Sequence, residues 1–215
     1  MLRMPITLGV ERSTSCPWRF SVFFVINVLF CTFYESMIEK TAIEYKQVIA
    51  TCQELFAKKT KDYGTAWRVL RLPSITDQIF IKAQRIRSIQ EKGTQKVEDP
   101  IKDEFIGIIN YCIIAMIQLE LKADEKLEMS YEELKPYYDK AVNETFALLQ
   151  NKNHDYAEAW RDMRVTSITD IILMKLLRVK QIEDNQGKTL VSEGIKANYQ
   201  DMINYAVFCL IKMTA

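Results

Sequence analysis

Glycine and proline are scarce, 6 and 5 in 215 residues, too few for the turns of a β-sandwich or barrel. None of the glycines falls in a G-x-G-x-x-G or G-x-x-x-x-G-K pattern, which excludes Rossmann and P-loop cradles for a nucleotide. A single histidine, His154, rules out a zinc site built on paired histidines. The five cysteines (Cys16, Cys31, Cys52, Cys112, Cys209) never stand at C-x-x-C spacing, which argues against structural zinc and a disulfide framework alike. Charge of one sign is missing too. With 29 basic and 28 acidic side chains the net charge is +1, without the basic surplus of a sequence-independent nucleic-acid binder, so no direct DNA binding is expected.

What is present is apolar sequence, 48% of the chain and strongly clustered, the mark of an all-α protein. Residues 20–34, FSVFFVINVLFCTFY, are apolar and aromatic behind Arg3, Arg12 and Arg19. They fall short of the roughly 20 residues a membrane-spanning helix needs. An N-terminal anchor, a signal sequence and translated upstream sequence with initiation at Met37 all fit this leader. The last is preferred, because the chain from Met37 onward reads as a self-contained cytoplasmic domain and nothing in 1–36 joins its pattern.

Beyond Met37 the chain repeats itself. DYGTAWRVLRLPSITDQIFIKAQRIRSIQ (62–90) aligns without gaps to DYAEAWRDMRVTSITDIILMKLLRVKQIE (155–183), and VEDPIKDEFIGIINYCIIAMI (97–117) to VSEGIKANYQDMINYAVFCLI (191–211). Upstream, Tyr45, Leu55 and Lys59 meet Tyr138, Leu148 and Lys152. The unit, roughly 75 residues, is too long for a solenoid repeat and suits two halves about a pseudo-twofold axis. Each half reads as three helices, giving a six-helix bundle with a first repeat over 37–121 and a second over 122–215. Ser74 or Thr76 with Asp77, and Ser167 or Thr169 with Asp170, supply capping chemistry for the second helix of each repeat.

Polar groups sit where a core belongs. On the third helix of the first repeat, Asp99, Asp103, Gly107 and Asn110 share one stripe, and Glu193, Ala197, Asp201 and Asn204 share the equivalent one. On the second helices, Lys82 and Arg85, and their counterparts Lys175 and Arg178, interrupt apolar runs and call for an anion, because an unpaired buried charge costs several kcal/mol. Trp67 with Arg68, and Trp160 with Arg161, offer an aromatic face for a base and guanidinium groups for phosphate. The first repeat lacks an acid at Gly107 and the second at Ala197, so Asp103 from one and Asp201 from the other suggest a composite site. A purely structural account competes: buried ion pairs and register-fixing asparagines occur in bundles without any ligand.

The combination of DYGTAWR and DYAEAWRDMR with K-x-x-R and D-x-x-N-Y resembles the nucleotide modification associated domain, a family of all-α proteins with tandemly duplicated members. More distantly the chain is similar to MazG-like all-α nucleoside triphosphate pyrophosphohydrolases, in which acidic residues on two helices hold Mg²⁺ over a triphosphate. The resemblance implies a Mg²⁺-dependent site for a nucleoside phosphate, with or without hydrolysis. Asp103, Glu193 and Asp201 are then the candidate metal ligands, Asn110 and Asn204 the residues orienting them, and Lys82, Arg85, Lys175 and Arg178 the neutralising cations. The alternative is a helical scaffold or interaction module. A small-molecule nucleotide is the expected partner, and a homodimer is open to such a fold.

Overall fold

The computed structural model describes residues 18–121, 126–191 and 193–214, with side chains from Glu39 onward. The chain divides into two units, Met1–Glu39 and Lys40–Ala215. Of the leader, residues 1–17 lie outside the described residues. No helix among the described residues is long and apolar enough to cross a membrane. The chain is all-α, with α1 (Trp18–Tyr63), α2 (Leu72–Lys92) and α3 (Ile101–Glu120) followed by their repeats α4 (Tyr131–Tyr156), α5 (Val165–Asp184) and α6 (Ile195–Thr214). Within the second unit α3 packs on α6 and α2 on α5, each second helix also lying along the third helix of its own repeat. The third helices are apolar on nearly every side and so occupy the centre, with Phe105, Ile109, Ile113, Met202, Ile203 and Val207 sealed from solvent.

Reciprocal contacts express the pseudo-twofold relation. Lys180 pairs with Asp77 across the α2–α5 seam at 2.6 Å, and their counterparts Arg87 and Asp170 lie 3.8 Å apart. Thr76 Oγ1 donates to Glu183 at 2.7 Å, and Gln90 Nε2 donates to Thr169 Oγ1 at 3.1 Å. A contact of residue i with j, matched by one between their repeats, is the signature of an isologous interface, here closed inside one chain.

The expected caps of α2 and α5 are corrected by this seam. Both helices begin earlier, after Arg71 and Arg164, with no side-chain cap. Thr169 turns its hydroxyl back to the Val165 carbonyl at 3.0 Å, Thr76 gives its proton to Glu183 across the seam, and Asp77 and Asp170 face cations there. Pro73 in the first turn of α2 needs no partner for a missing N–H, which allows the early start. The capping box lies instead on α4, where Ser130 accepts from the Glu133 amide and the Glu133 carboxylate accepts from the Ser130 amide.

Asn110 and Asn204 tie the third helices to the first ones. Asn110 Nδ2 donates to the Cys52 carbonyl at 3.0 Å and Asn204 Nδ2 to the Thr145 carbonyl at 3.4 Å, two equivalent positions. The symmetry then breaks. Tyr138 donates its hydroxyl to Asn110 Oδ1 at 3.0 Å, whereas the matching groups, the Tyr45 hydroxyl and Asn204 Oδ1, are buried without a partner among the described residues. Tyr138→Phe is therefore expected to destabilise by about 1–3 kcal/mol, since it strands a buried acceptor, and Tyr45→Phe to be neutral or stabilising, since it removes an unmatched hydroxyl. Urea unfolding midpoints of the two variants check this; equal losses would contradict it.

Glu183 is a second asymmetry, standing where the first repeat has Gln90. Burial raises its carboxyl pKa above the ordinary value, against the hydrogen bonds from Thr76 and Tyr199. A carboxyl with a raised folded pKa lowers stability as pH climbs from the unfolded pKa through the folded one. Glu183→Gln is expected to unfold at an equal or higher urea midpoint than wild type at neutral pH, with the difference closing in acid. A gap that widens in acid would show the opposite sign.

Candidate functional site

The site is best built from the lysine that each second helix carries into apolar surroundings. In the first repeat Lys82 reaches Glu104 on α3, Nζ to Oε2 at 3.1 Å, and Arg85 takes the other carboxylate oxygen at 2.5 Å. Arg85 also donates to the Asp99 carbonyl at 2.9 Å, which pins the chain just ahead of α3. In the second repeat Glu104 is replaced by Asn198, and the anion has moved one turn along, to Asp201. Asp201 accepts from Lys175 at 2.6 Å and from Lys152 at 2.5 Å. Burial opposes the charge on Lys152, yet the Asp201 carboxylate outweighs it and holds the lysine pKa above its ordinary value.

Gly107 stands where the second repeat has Asp201. The Lys82 stem lies against it so closely that a β-carbon there would fall 2.6 Å from Lys82 Cε and 2.7 Å from Cδ. The first repeat thus gives to a lysine stem the volume that a carboxylate fills in the second. Beside it opens a cleft of about 620 Å³ between α1, the turn after it, α2 and α3. Leu55, Phe56, Trp67, Leu70 and Ile114 give it an apolar and aromatic wall. Lys59 and Lys82 bring cations to it, and Asp99, Asp103 and Glu104 bring carboxylates. Asp103 and Lys59 are exposed, and neither makes an ion pair among the described residues.

At the equivalent place in the second repeat the space is taken. Phe208 replaces Ile114 and stacks on Trp160, ring centroids 4.2 Å apart and planes within 5°. The Arg161 guanidinium covers the same indole at 4.4 Å. Arg161 is itself held by Glu158 at 2.6 Å and Glu44 at 2.7 Å, with Glu158 buried and in the left-handed backbone region. Burial works against its charge, but these carboxylates raise the guanidinium pKa. Its partner in the first repeat, Arg68, is buried and donates to Gln118 at 2.5 Å.

The stripe Asp99, Asp103, Gly107 and Asn110 lines the cleft of the first repeat, together with Lys82 and Trp67. Arg85 stands behind it through Glu104. Trp160, Arg68 and Arg161 are instead packed or paired within the fold, Arg178 is exposed, and Asn110 and Asn204 serve first as helix ties. Asp103, Glu193 and Asp201 are not brought together. Among the described residues no group of three or more His, Cys, Asp or Glu side chains is placed to hold a metal ion. Asp201 is committed to two lysines, and Glu193 is exposed ahead of α6. Glu104, Lys59 and Lys152 join these site residues only in the folded chain. Glu104 sits one turn before Gly107 at the buried edge of α3, and the K-x-x-R pair of α2, needing an anion at its own height, was the signal for it.

Replacing Asp201 by Ala leaves Lys175, 8% exposed, without an anion, and is expected to cost about 3–5 kcal/mol. Asp103→Ala, at an exposed carboxylate outside any ion pair among the described residues, is expected to stay within about 0.5 kcal/mol of wild type. Thermal and urea unfolding of the two variants check the contrast.

Comparison with known proteins agrees with this duplicated architecture. The family model described as Nucleotide modification associated domain 1 matches the chain twice, over residues 59–119 and 152–213, together more than half of its length. No curated protein and no solved structure matches it. Each match takes in the end of a first helix, the DYGTAWR or DYAEAWR turn and the two helices that carry the lysine and its carboxylate. The chain belongs to the nucleotide modification associated domain 1 family, and carries that domain in tandem.

Proposed function

We propose that the chain binds a nucleoside phosphate together with Mg²⁺ in the cleft of the first repeat. One observation carries this: the cleft joins an aromatic and apolar wall to a set of cations and carboxylates within about 620 Å³, a volume in the range of small-molecule sites. Trp67 provides a face for the base. Lys82, with Arg85 behind it, balances the phosphates. Asp99 and Asp103 supply hard oxygen ligands, and Mg²⁺ is commonly held by one or two carboxylates plus substrate phosphates rather than by a complete protein cage. Where hydrolysis follows, a metal-bound water attacking a phosphoryl centre is the step such a site supports.

The paired charges of the second repeat favour the alternative role for that half. A buried carboxylate with a lysine on each oxygen, as Asp201 has, holds helices in register and has its charge already balanced. Scaffolding and binding are then divided between the two halves.

Calorimetric titration of the full chain with canonical and modified nucleoside triphosphates, with and without Mg²⁺, tests the proposal, and pyrophosphate release reports turnover. Binding is expected to need Mg²⁺. Trp67→Ala is expected to weaken it by roughly 10- to 100-fold, the scale of one base–aromatic stack. Asp103→Asn is expected to remove most of the Mg²⁺ dependence. No binding across the panel would overturn the proposal.

A further inference from the structure

The two repeats differ most sharply at the place where an anion meets a pair of lysines. In the second repeat a lysine from the first helix, Lys152, and one from the second helix, Lys175, close on the two oxygens of a single carboxylate at 2.5 and 2.6 Å. In the first repeat the same two lysines, Lys59 and Lys82, both line the cleft, but Gly107 offers them nothing. Lys82 is balanced from one turn away by Glu104, and Lys59 has no carboxylate partner among the described residues. Exchange of two residue pairs accounts for the difference: Glu104 and Gly107 against Asn198 and Asp201.

We infer that Asp201 is a built-in ligand: its carboxylate engages Lys152 and Lys175 as an external oxyanion in the cleft of the first repeat engages Lys59 and Lys82. The closed half thereby displays the anion-bound arrangement of the open one. A carboxylate bridging two ammonium groups through separate oxygens is the geometry a phosphoryl group also satisfies, and phosphate presents more oxygens at similar spacing. Three further features agree. Gly107 gives the Lys82 stem its place beside the cleft, since any side chain there would displace it. Ile114 leaves open the volume that Phe208 fills against Trp160. Glu104 holds Lys82 and Arg85 in place, and Asn198, whose Oδ1 is buried without a partner among the described residues, marks the turn from which that acid is missing.

The anion site stands on the comparison of the two halves. Only its assignment as the place of the nucleotide's phosphate rests on the function proposed above. Inorganic pyrophosphate, titrated calorimetrically into the full chain in Mg²⁺ buffer, separates the two. Wild type is expected to bind one pyrophosphate per chain. Lys59→Ala is expected to weaken it at least tenfold, and Lys152→Ala to leave it unchanged. The exchange Glu104→Asn with Gly107→Asp is expected to close the first site and abolish binding. The reverse exchange, Asn198→Glu and Asp201→Gly with Phe208→Ile, is expected to raise the count to two. The closing exchange trades the Glu104 pairs with Lys82 and Arg85 for an acid one turn later, so its loss of binding is read in a protein that still unfolds cooperatively, and Lys59→Ala, which breaks no ion pair among the described residues, reports the site without disturbing those pairs. Pyrophosphate binding that is absent in wild type, that survives the closing exchange, or that falls equally with Lys59→Ala and Lys152→Ala overturns the inference. Pyrophosphate bound as expected while no nucleotide binds would leave the anion site in place and remove the proposed function.

Discussion

A lysine carried by an apolar helix must be given an anion, and the rest of this molecule is arranged around where that anion stands. Lys82 and Lys175 occupy the same place in α2 and α5, each facing a third helix that is almost wholly buried. Removing two charges from water is costly, and only close pairing with further hydrogen bonds offsets it. Each third helix therefore carries a single buried acid within reach, Glu104 or Asp201, and the choice of turn has consequences beyond charge balance. An acid at the earlier turn leaves the later one free for a lysine stem and a cleft. An acid at the later turn draws in a second lysine and closes the same space.

The fold was legible because its signals are redundant. Two copies of one helical pattern, each with a DY-x-x-AW turn and a nearly continuous apolar third helix, point to a duplicated bundle at every level from periodicity to connectors. The demand of Lys82 and Lys175 for anions was legible for the same physical reason that makes it costly. Which acid answers it was harder to see. Asp99, Asp103, Gly107 and Asn110 form a polar stripe at helical spacing, and Glu104 sits beside that stripe, so periodicity alone favoured the exposed acids over the buried one.

Other features depended on partners that lie far away in sequence. Ser74, Thr76 and Asp77 have the composition of a cap, but the seam between α2 and α5 offers Thr76 and Asp77 the stronger contacts of Glu183 and Lys180. Arg68 and Arg161 have the chemistry of phosphate ligands, yet one is buried against Gln118 and the other is held by Glu44 and Glu158. The side chains that satisfy an arginine in a turn come from helices 50 residues away in one case and 117 in the other. Local pattern carries no record of such distances.

Duplication within one chain is what allows the two halves to part. In a homodimer of identical subunits, a substitution that closes one cleft closes its twin, and an acid that stabilises one interface appears in both. Once the copies are fused, Asp201, Phe208 and Arg161 are able to make the second half a dense, charge-paired support while Gly107 and Ile114 keep the first half open. The cost of an open cleft, with fewer contacts and a Lys59 outside any ion pair among the described residues, is then borne beside a half that has given up its own. The unmatched Tyr45 hydroxyl and Asn204 Oδ1 mark where that divergence has left a bond of the ancestral symmetry unmade, whereas Tyr138 and Asn110 retain it at the edge of the cleft.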